Sequence, residues 1–176
     1  MSIIERSRAS TSETGPSAGE LTLGRVHSGL VMASRGPVCV ALWRSKPTLE
    51  LFHIQRAELA AAVAHHPGTQ LFLCIVEAKA DPPDQSLRSA SAQMLAQHGR
   101  KLAAFACVIE GSGFRSALTR TVLTGIALLV PKPAPHRFFE STWEACAWLA
   151  SLGSPGNLAG LADQIAAARA RLAPRM

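Results

Sequence analysis

Three acidic residues follow an apolar run near the middle of the chain. Glu77 directly follows residues 71–76, and Asp81 and Asp84 lie in the loop after it. Because ligands of open α/β sheets bind at the carboxyl ends of the strands, carboxylates at this position could perform acid–base chemistry. Two prolines between the aspartates instead indicate a stiff surface loop, in which acidic side chains are usually only solvated. No Gly-x-Ser-x-Gly elbow and no Cys–His signature is present, so no catalytic residue is predicted.

A small-residue loop, Gly111-Ser112-Gly113, follows another apolar run and precedes a helical pattern. Backbone N–H groups at such a junction can hold an anion, and Arg115 is close in sequence. The motif is not a P-loop, since no Gly-Lys-Ser/Thr follows, and it lacks the third glycine of a dinucleotide fingerprint. Gly111, Ser112, Gly113 and Arg115 are therefore candidates for an anion or ligand loop. The alternative is a tight turn that requires small residues.

The cysteines and histidines do not form a recognisable metal motif. The chain has four cysteines, none of them in a CxxC pair, and the first three lie within apolar runs. They are predicted to be buried small hydrophobic side chains in a reducing compartment. His65 and His66 end a predicted helix, where positive charge is favoured, and no third ligand is near in sequence. No metal and no cofactor is predicted. The cysteines are Cys39, Cys74, Cys107 and Cys146.

Apolar runs bounded by turn residues predict the strands that would position these groups. Residues 30–32 and 38–43 flank a Gly-Pro turn and predict an antiparallel hairpin. The unbroken apolar runs at 71–76 and 103–109 are typical of strands buried on both faces. Residues 136–139 follow three spaced prolines and predict a short edge strand.

Helical periodicity falls between and after these strands. Helices are predicted over 49–65, from Asp84 to Gly99, after Gly113, after the capping box that begins at Ser141, and over 158–172. The third helix has an apolar stripe predicted to face the core, with Arg115, Thr119 and Arg120 outside it. That stripe consists of Phe114, Leu118, Val122, Ile126 and Leu129. The stripe of the last helix consists of Leu158, Leu161, Ile165, Ala168 and Leu172.

Helices that alternate with apolar strands predict an α/β fold. We expect a mixed, mostly parallel sheet of about five strands, flanked by helices, with an extra C-terminal helix. The predicted organisation is a disordered tail over 1–22, an α/β domain over 23–153 and the C-terminal helix over 154–176. The tail is polar and lacks the apolar core of a secretory signal.

The formal net charge of +6 raises the question of an acidic partner. The basic residues are spread along the chain, and the few aromatic residues are not interleaved with them, so a nucleic-acid surface is not predicted. No apolar stretch approaches the length of about 20 residues that spans a bilayer. The protein is therefore expected to be cytoplasmic, without a transmembrane segment.

Three stretches carry a resemblance to a known family. One is Ala41-Leu42-Trp43 running through Pro47-Thr48 into a helix, and another is the sequence from Val108 to Arg115. The third is Phe138-Phe139-Glu140-Ser141 with the following Glu144-Ala145 and Ala147-Trp148-Leu149. These stretches resemble the STAS family, the fold of bacterial anti-sigma-factor antagonists, and especially its uncharacterised STAS-like branch. The resemblance extends from about Val26 to Leu152.

The resemblance implies a binding module rather than an enzyme. In anti-sigma-factor antagonists, a partner kinase phosphorylates a serine at the start of the helix after the central strand. The nearest positions here are Ser86 and Ser89, although Asp81-Pro82-Pro83-Asp84 replaces the Asp-Ser-Ser-Gly type signal of the family. A phosphate on Ser86 would place nearly two negative charges beside the positive end of the helix dipole.

The leading hypothesis is thus a non-enzymatic protein-interaction or regulatory module that binds another protein. Trp143 lies off the apolar stripe of its helix, and Arg120 lies off the stripe of the third helix, so both are candidates for an interaction surface. The C-terminal helix could mediate a homodimer or pack on its own domain. The alternatives are a domain that binds a small apolar or lipid ligand and an enzyme of unassigned class.

Overall fold

The fold is built around a sheet whose strands follow one another in sequence order. The computed structural model describes residues 19–128, 134–153 and 156–172, except for the side chains of Arg115 and Ala127. The strands are β1 Thr22–Val26, β2 Leu30–Arg35, β3 Val38–Trp43, β4 Gln70–Val76, β5 Leu102–Ile109 and β6 His136–Phe139. The helices are α1 Leu49–His65, α2 Gln85–His98, α3 Phe114–Leu128, α4 Thr142–Ser151 and α5 Leu161–Arg171, with a 3₁₀ turn at Gly99–Lys101.

Within the described sheet, β2 runs opposite to the other five strands. β1, β2 and β3 pair antiparallel, whereas β3, β4, β5 and β6 pair parallel. The predicted hairpin is confirmed as β2–β3, in which Arg35 pairs with Val38 and Gly36 adopts a φ of 51°. The expected α/β class and a mixed sheet flanked by helices are confirmed. The expectation that the sheet is mostly parallel with about five strands is wrong, because the described sheet has six strands and two of its five pairings are antiparallel. The strand that was missed, β1, is short and exposed, and its sequence carries little apolar signal.

The crossovers place three helices on one face of the sheet. Each parallel connection joins neighbouring strands in sequence order, and right-handed crossovers then bring α1, α2 and α3 to the same face. On that face, Phe72 packs with Leu59 of α1 and Leu87 of α2. On the opposite face, Leu73 packs with Leu149 of α4 and with α5. The molecule therefore has three layers, with a separate apolar core on each side of the sheet.

Polar side chains cap the helices at the positions where apolar periodicity begins. The Thr48 hydroxyl accepts a hydrogen bond from the Leu51 N–H at 3.3 Å, and the Asp84 carboxylate accepts one from the Leu87 N–H at 3.0 Å. The Ser141 hydroxyl accepts one from the Trp143 N–H at 3.1 Å. These bonds satisfy N–H groups that have no partner within the helix.

The predicted core face of α3 is correct at Ile126 but wrong at Phe114 and Leu118. Phe114 is 84% exposed and Leu118 is 41% exposed, whereas Thr119 and Ile126 are buried. Because α3 carries apolar residues on opposite sides, its periodicity does not determine which side packs on the sheet. The helix is turned so that Thr119, predicted to lie off the stripe, faces inward. Leu129, the last residue of the predicted stripe, lies outside the described residues.

The C-terminal helix is part of the core. Leu161 and Ile165 are buried against the sheet, as is Leu158 just before the helix. The predicted stripe thus packs on its own domain, and self-association through α5 would need its exposed face. The Gln164 side chain accepts a hydrogen bond from the Leu21 N–H and donates one to the Gly19 carbonyl, each at 3.0 Å. Of the predicted tail, residues 1–18 lie outside the described residues.

None of the described helices combines the length and the apolar character that a membrane crossing requires.

Candidate functional site

The carboxyl edge of the sheet carries a network of ion pairs. Arg44, Glu77 and Glu110 each follow the last residue of a parallel strand, namely β3, β4 and β5. Arg169 of α5 donates to both carboxylate oxygens of Glu110, at 2.6 and 2.7 Å, and lies 3.1 Å from Glu77. Arg44 lies 3.7 Å from the same carboxylate oxygen of Glu77. A helix from one face of the sheet is thereby fixed to the ends of two central strands.

This network gives Glu77 a structural role. Hydrogen bonding to Glu110 raises the pKa of Arg169 above its ordinary value, as do the nearby negative charges of Glu110 and Glu77. Of the other predicted acids, Asp84 caps α2, and the hydrogen bond from the Leu87 N–H lowers the pKa of its carboxyl. Asp81 instead lines a cavity between the sheet and its helices. The three carboxylates therefore have three different environments and do not form an acid–base pair.

The predictions missed Glu110 and the contact that Arg169 makes with it. One signal was available, because Glu77 and Glu110 each directly follow a buried apolar run. In the structure Val76 pairs with Ile109, so these two carboxylates lie side by side at the edge. The contribution of α5 could not be predicted, since periodicity does not show over which part of the sheet a terminal helix lies.

An apolar cavity of about 80 Å³ lies between the sheet and helices α1, α2 and α3. Pro47, Asp81 and Pro83, from the loops after β3 and β4, line one end of it. Within it, the Trp43 indole N–H donates to the Gln55 side-chain oxygen at 2.7 Å. The other lining residues are Phe52, Phe72, Cys74, Val76, Leu87, Ser91, Met94, Leu95, Phe105, Cys107, Thr119, Leu123, Ile126 and Phe138.

The size of this cavity limits what it can hold. Sites for small molecules typically measure about 300–1,000 Å³, and an engineered cavity of about 150 Å³ holds benzene. At about 80 Å³, the cavity fits only a few heavy atoms unless the helices move apart. A lipid chain does not fit the observed geometry.

All four cysteines are buried as free thiols, which confirms the predicted burial. Cys74 and Cys107 are register partners on β4 and β5, and both line the apolar cavity. Hydrogen bonding to Cys74, together with burial, raises the pKa of Cys107 well above its ordinary value. Burial raises the pKa of Cys39 to about 12 and that of Cys146 to about 11.

We expect native Cys39 and Cys146 to resist alkylation. A thiol with a pKa of about 12 has roughly one thiolate in ten thousand molecules at pH 8, and only the thiolate is nucleophilic. Iodoacetamide labelling at pH 8, followed by mass spectrometry, should be slower by about a hundredfold or more in the folded chain than in guanidinium. Labelling of folded Cys39 at the rate of the unfolded chain would contradict this result.

The two predicted phosphoacceptors occupy the first turns of α2. The Ser86 hydroxyl donates to the Asp84 carboxylate at 2.7 Å, and the Ser89 hydroxyl donates to the Gln85 carbonyl at 3.2 Å. Both side chains are exposed, so a kinase could reach them. A phosphate on Ser86 would lose this bond and face the Asp84 carboxylate, which opposes the favourable helix dipole. Phosphorylation at either serine stays a prediction.

The loop at residues 111–113 has the geometry of a tight turn. Gly111 and Gly113 adopt φ values of 92° and 89°, which favour glycine, and a Cβ on Gly111 would lie 2.9 Å from that of Ala78. Gly111 and Ser112 line a small cavity of about 90 Å³ that Glu77 and Glu110 also line. These carboxylates disfavour an anion there. The Arg115 side chain lies outside the described residues, and the anion loop stays a prediction.

Large apolar side chains are exposed along one face of α3. Phe114 is 84% exposed, Leu118 41% and Leu128 80%, and the exposed Thr121 and Gly125 lie between them on the same face. We call these five residues the α3 stripe.

The two residues predicted for an interaction surface are accessible. Trp143, at the start of α4, is 59% exposed. Arg120 of α3 forms an ion pair of 3.2 Å with Glu140, which directly follows β6. Over the ranges that the structure describes, no three His, Cys, Asp or Glu side chains converge in a way that could hold a metal ion.

Comparison of the chain with protein-family models and with curated proteins gave no match.

Proposed function

We propose that the chain is a non-enzymatic protein-interaction or regulatory module of STAS-like type, and that it binds another protein through the α3 stripe. The observation that supports this proposal is the exposure of Phe114, Leu118 and Leu128 on one helix face. Isolated exposed apolar residues are normal, whereas several at helical spacing are typical of a docking surface.

The composition of the α3 stripe suits a protein partner. Burying a side chain such as Phe or Leu stabilises a complex by about 1.5–3 kcal/mol. Thr121 and Gly125 leave shallow positions between the larger side chains, into which apolar side chains of the partner can pack. An amphipathic helix offers side chains at the matching spacing.

The STAS-like assignment and the cytoplasmic location belong to this proposal. Support for the family comes from the residues around Trp43, from the sequence between Val108 and Arg115, and from the start of α4. The strand–helix alternation after the β2–β3 hairpin is compatible with it. Trp143 and Arg120, the two residues predicted for an interaction surface, are accessible on other parts of the surface.

The two alternatives have weaker support. The apolar cavity favours a small ligand, but its volume of about 80 Å³ restricts that ligand to a few heavy atoms. An enzyme would need reactive groups in one place, whereas Glu77 and Asp84 are held in separate structural contacts.

Leu118→Asp is expected to abolish binding of the partner and to leave the unfolding temperature nearly unchanged, because the side chain is already 41% exposed. The measurement is quantitative mass spectrometry of polypeptides retained from a lysate of the source cells. Leu152→Asp is a matched control, since Leu152 is 43% exposed on a different part of the surface. If both variants retain the same polypeptides as the wild-type chain, the α3 stripe is not the binding surface.

A further inference from the structure

Within the described part of the chain, no strand pairs with the outer edge of β6. β6 pairs with β5 on one side, and no other described strand lies beside it. The Pro135 carbonyl accepts a hydrogen bond from the Phe105 N–H at 2.9 Å, so it faces β5. Because backbone groups alternate in direction along an edge strand, those of Arg137 also face β5. The N–H and C=O groups of His136 and Phe138 therefore point away from the sheet.

A groove of about 520 Å³ borders this edge. Arg137 and Phe139 of β6 line it, together with Glu144 and Trp148 of α4. The Arg137 guanidinium lies 5.5 Å from the centre of the Phe139 ring, so this side of the strand is already ordered. The groove leaves room beside β6 for another extended chain.

The basic residues lie at the start of β6 and the acidic residues lie after its end. His136 and Arg137 begin the strand, whereas Glu140 directly follows it and Glu144 lies in the next helix. If β6 of a second copy lay parallel to this strand, residues of like charge would lie beside each other. In the antiparallel direction, the basic start of each strand lies beside the acidic end of the other. The edge is thus complementary to itself only in the antiparallel arrangement.

We propose that two copies of this chain pair through their β6 edges, antiparallel, about a two-fold axis at Phe138. Only residues whose backbone groups point outward can exchange hydrogen bonds, which restricts the register. With Phe138 opposite Phe138 of the second copy, His136 lies opposite Glu140 of the second copy. In this register, the outward backbone groups of His136, Phe138 and Glu140 all pair with the second copy. A shift of the register by two residues loses at least one of these three pairs.

The β6 pairing is independent of the α3 stripe. Successive residues are rotated by about 100° around the axis of an α-helix. Leu118 of the stripe and Arg120, which pairs with Glu140, are two positions apart and therefore face nearly opposite directions. A dimer formed through β6 leaves the α3 stripe accessible. The self-association and the binding of another protein can therefore be tested separately.

The test is sedimentation equilibrium of the full chain at up to about 100 μM, a range that detects dimers with micromolar Kd. The wild-type chain is expected to form a concentration-dependent dimer. His136→Glu places two carboxylates opposite each other and should raise Kd at least about tenfold. Adding Glu140→Arg to the same chain restores opposite charges between the copies but removes the Arg120–Glu140 ion pair within each chain. The double variant should therefore have a Kd at least about threefold lower than that of His136→Glu alone.

A backbone variant tests the register itself. Phe138→Pro removes an N–H that points away from β5, so the β5–β6 pairing keeps its hydrogen bonds while the central pair of the dimer is lost. This variant should be monomeric over the same concentration range. If it fails to fold, as judged by circular dichroism, the charge variants still decide the question.

Three outcomes would overturn the proposal. One is a wild-type chain that is monomeric over the whole range. Another is a dimer that none of these variants weakens, which would assign self-association to a different surface such as the exposed face of α5. The third is slow hydrogen exchange at the His136 and Phe138 amides in the dilute monomer, which would show that another part of the same chain covers the edge.

Discussion

A chain that ends at Gly153 is expected to lose cooperative unfolding and to expose the part of one sheet face that α5 covers. α5 and the segment before it bury Leu158, Leu161 and Ile165 on that face. Burial of three such side chains contributes roughly 5–9 kcal/mol, whereas the total stability of a domain is typically about 5–15 kcal/mol. The truncated chain therefore keeps little or no net stability.

The truncation also leaves buried polar groups without partners. Arg35 is 6% exposed, and its guanidinium donates to the carbonyls of Asn157 and Ala159 at 2.8 and 3.0 Å. Loss of both acceptors leaves a buried charge unpaired, which adds to the destabilisation.

Circular dichroism during urea unfolding and binding of a hydrophobic dye are the measurements for this truncation. A chain that ends at Leu172 is the control, because it keeps α5 and should unfold in one cooperative step. If the chain that ends at Gly153 unfolds at the same urea concentration as this control, α5 is an accessory helix and the core assignment is wrong.

Arg169→Ala is expected to lower the free energy of unfolding by about 2 kcal/mol. Removing one member of a buried ion pair typically costs about 3–5 kcal/mol, because it leaves the other charge uncompensated, and partial exposure reduces this cost. The Arg169 side chain is 29% exposed, with Glu110 at 23% and Glu77 at 15%. The substitution leaves Glu77 and Glu110 side by side, with Arg44 near only one of them.

Equilibrium unfolding in urea measures this effect. Arg171→Ala is the matched control, since Arg171 is exposed on the same helix and should change stability by less than about 0.5 kcal/mol. An additional Glu110→Gln substitution should recover part of the loss in the Arg169→Ala chain, because it removes one of the two adjacent charges. Equal stability of the two arginine variants would show that the network contributes nothing.

The parts of the fold that the sequence predicts well are those in which local pattern and burial agree. β4 is buried at every residue, and its apolar sequence has no interruption, so its assignment needed no knowledge of its neighbours. The cap at Asp84 and the β2–β3 hairpin have equally local signals. The burial of the cysteines follows from their positions in such strands.

The features that escaped prediction depend on contacts between distant segments. All five residues of β1 are exposed, and its strand conformation depends on pairing with β2. The orientation of α3 depends on the surface beneath it, which buries Thr119 and leaves Phe114 exposed. Arg169 meets Glu110 across 59 positions of sequence, and no local pattern connects the two.

The placement of the helices has a consequence for how the chain folds during synthesis. The helices α1, α2 and α3, which cover one face of the sheet, are synthesised before α4 and α5. The opposite face depends on α4 and α5, which are translated after every strand is complete. The apolar residues that α5 covers therefore stay exposed until α5 has left the ribosome, and a chaperone can bind them during that interval.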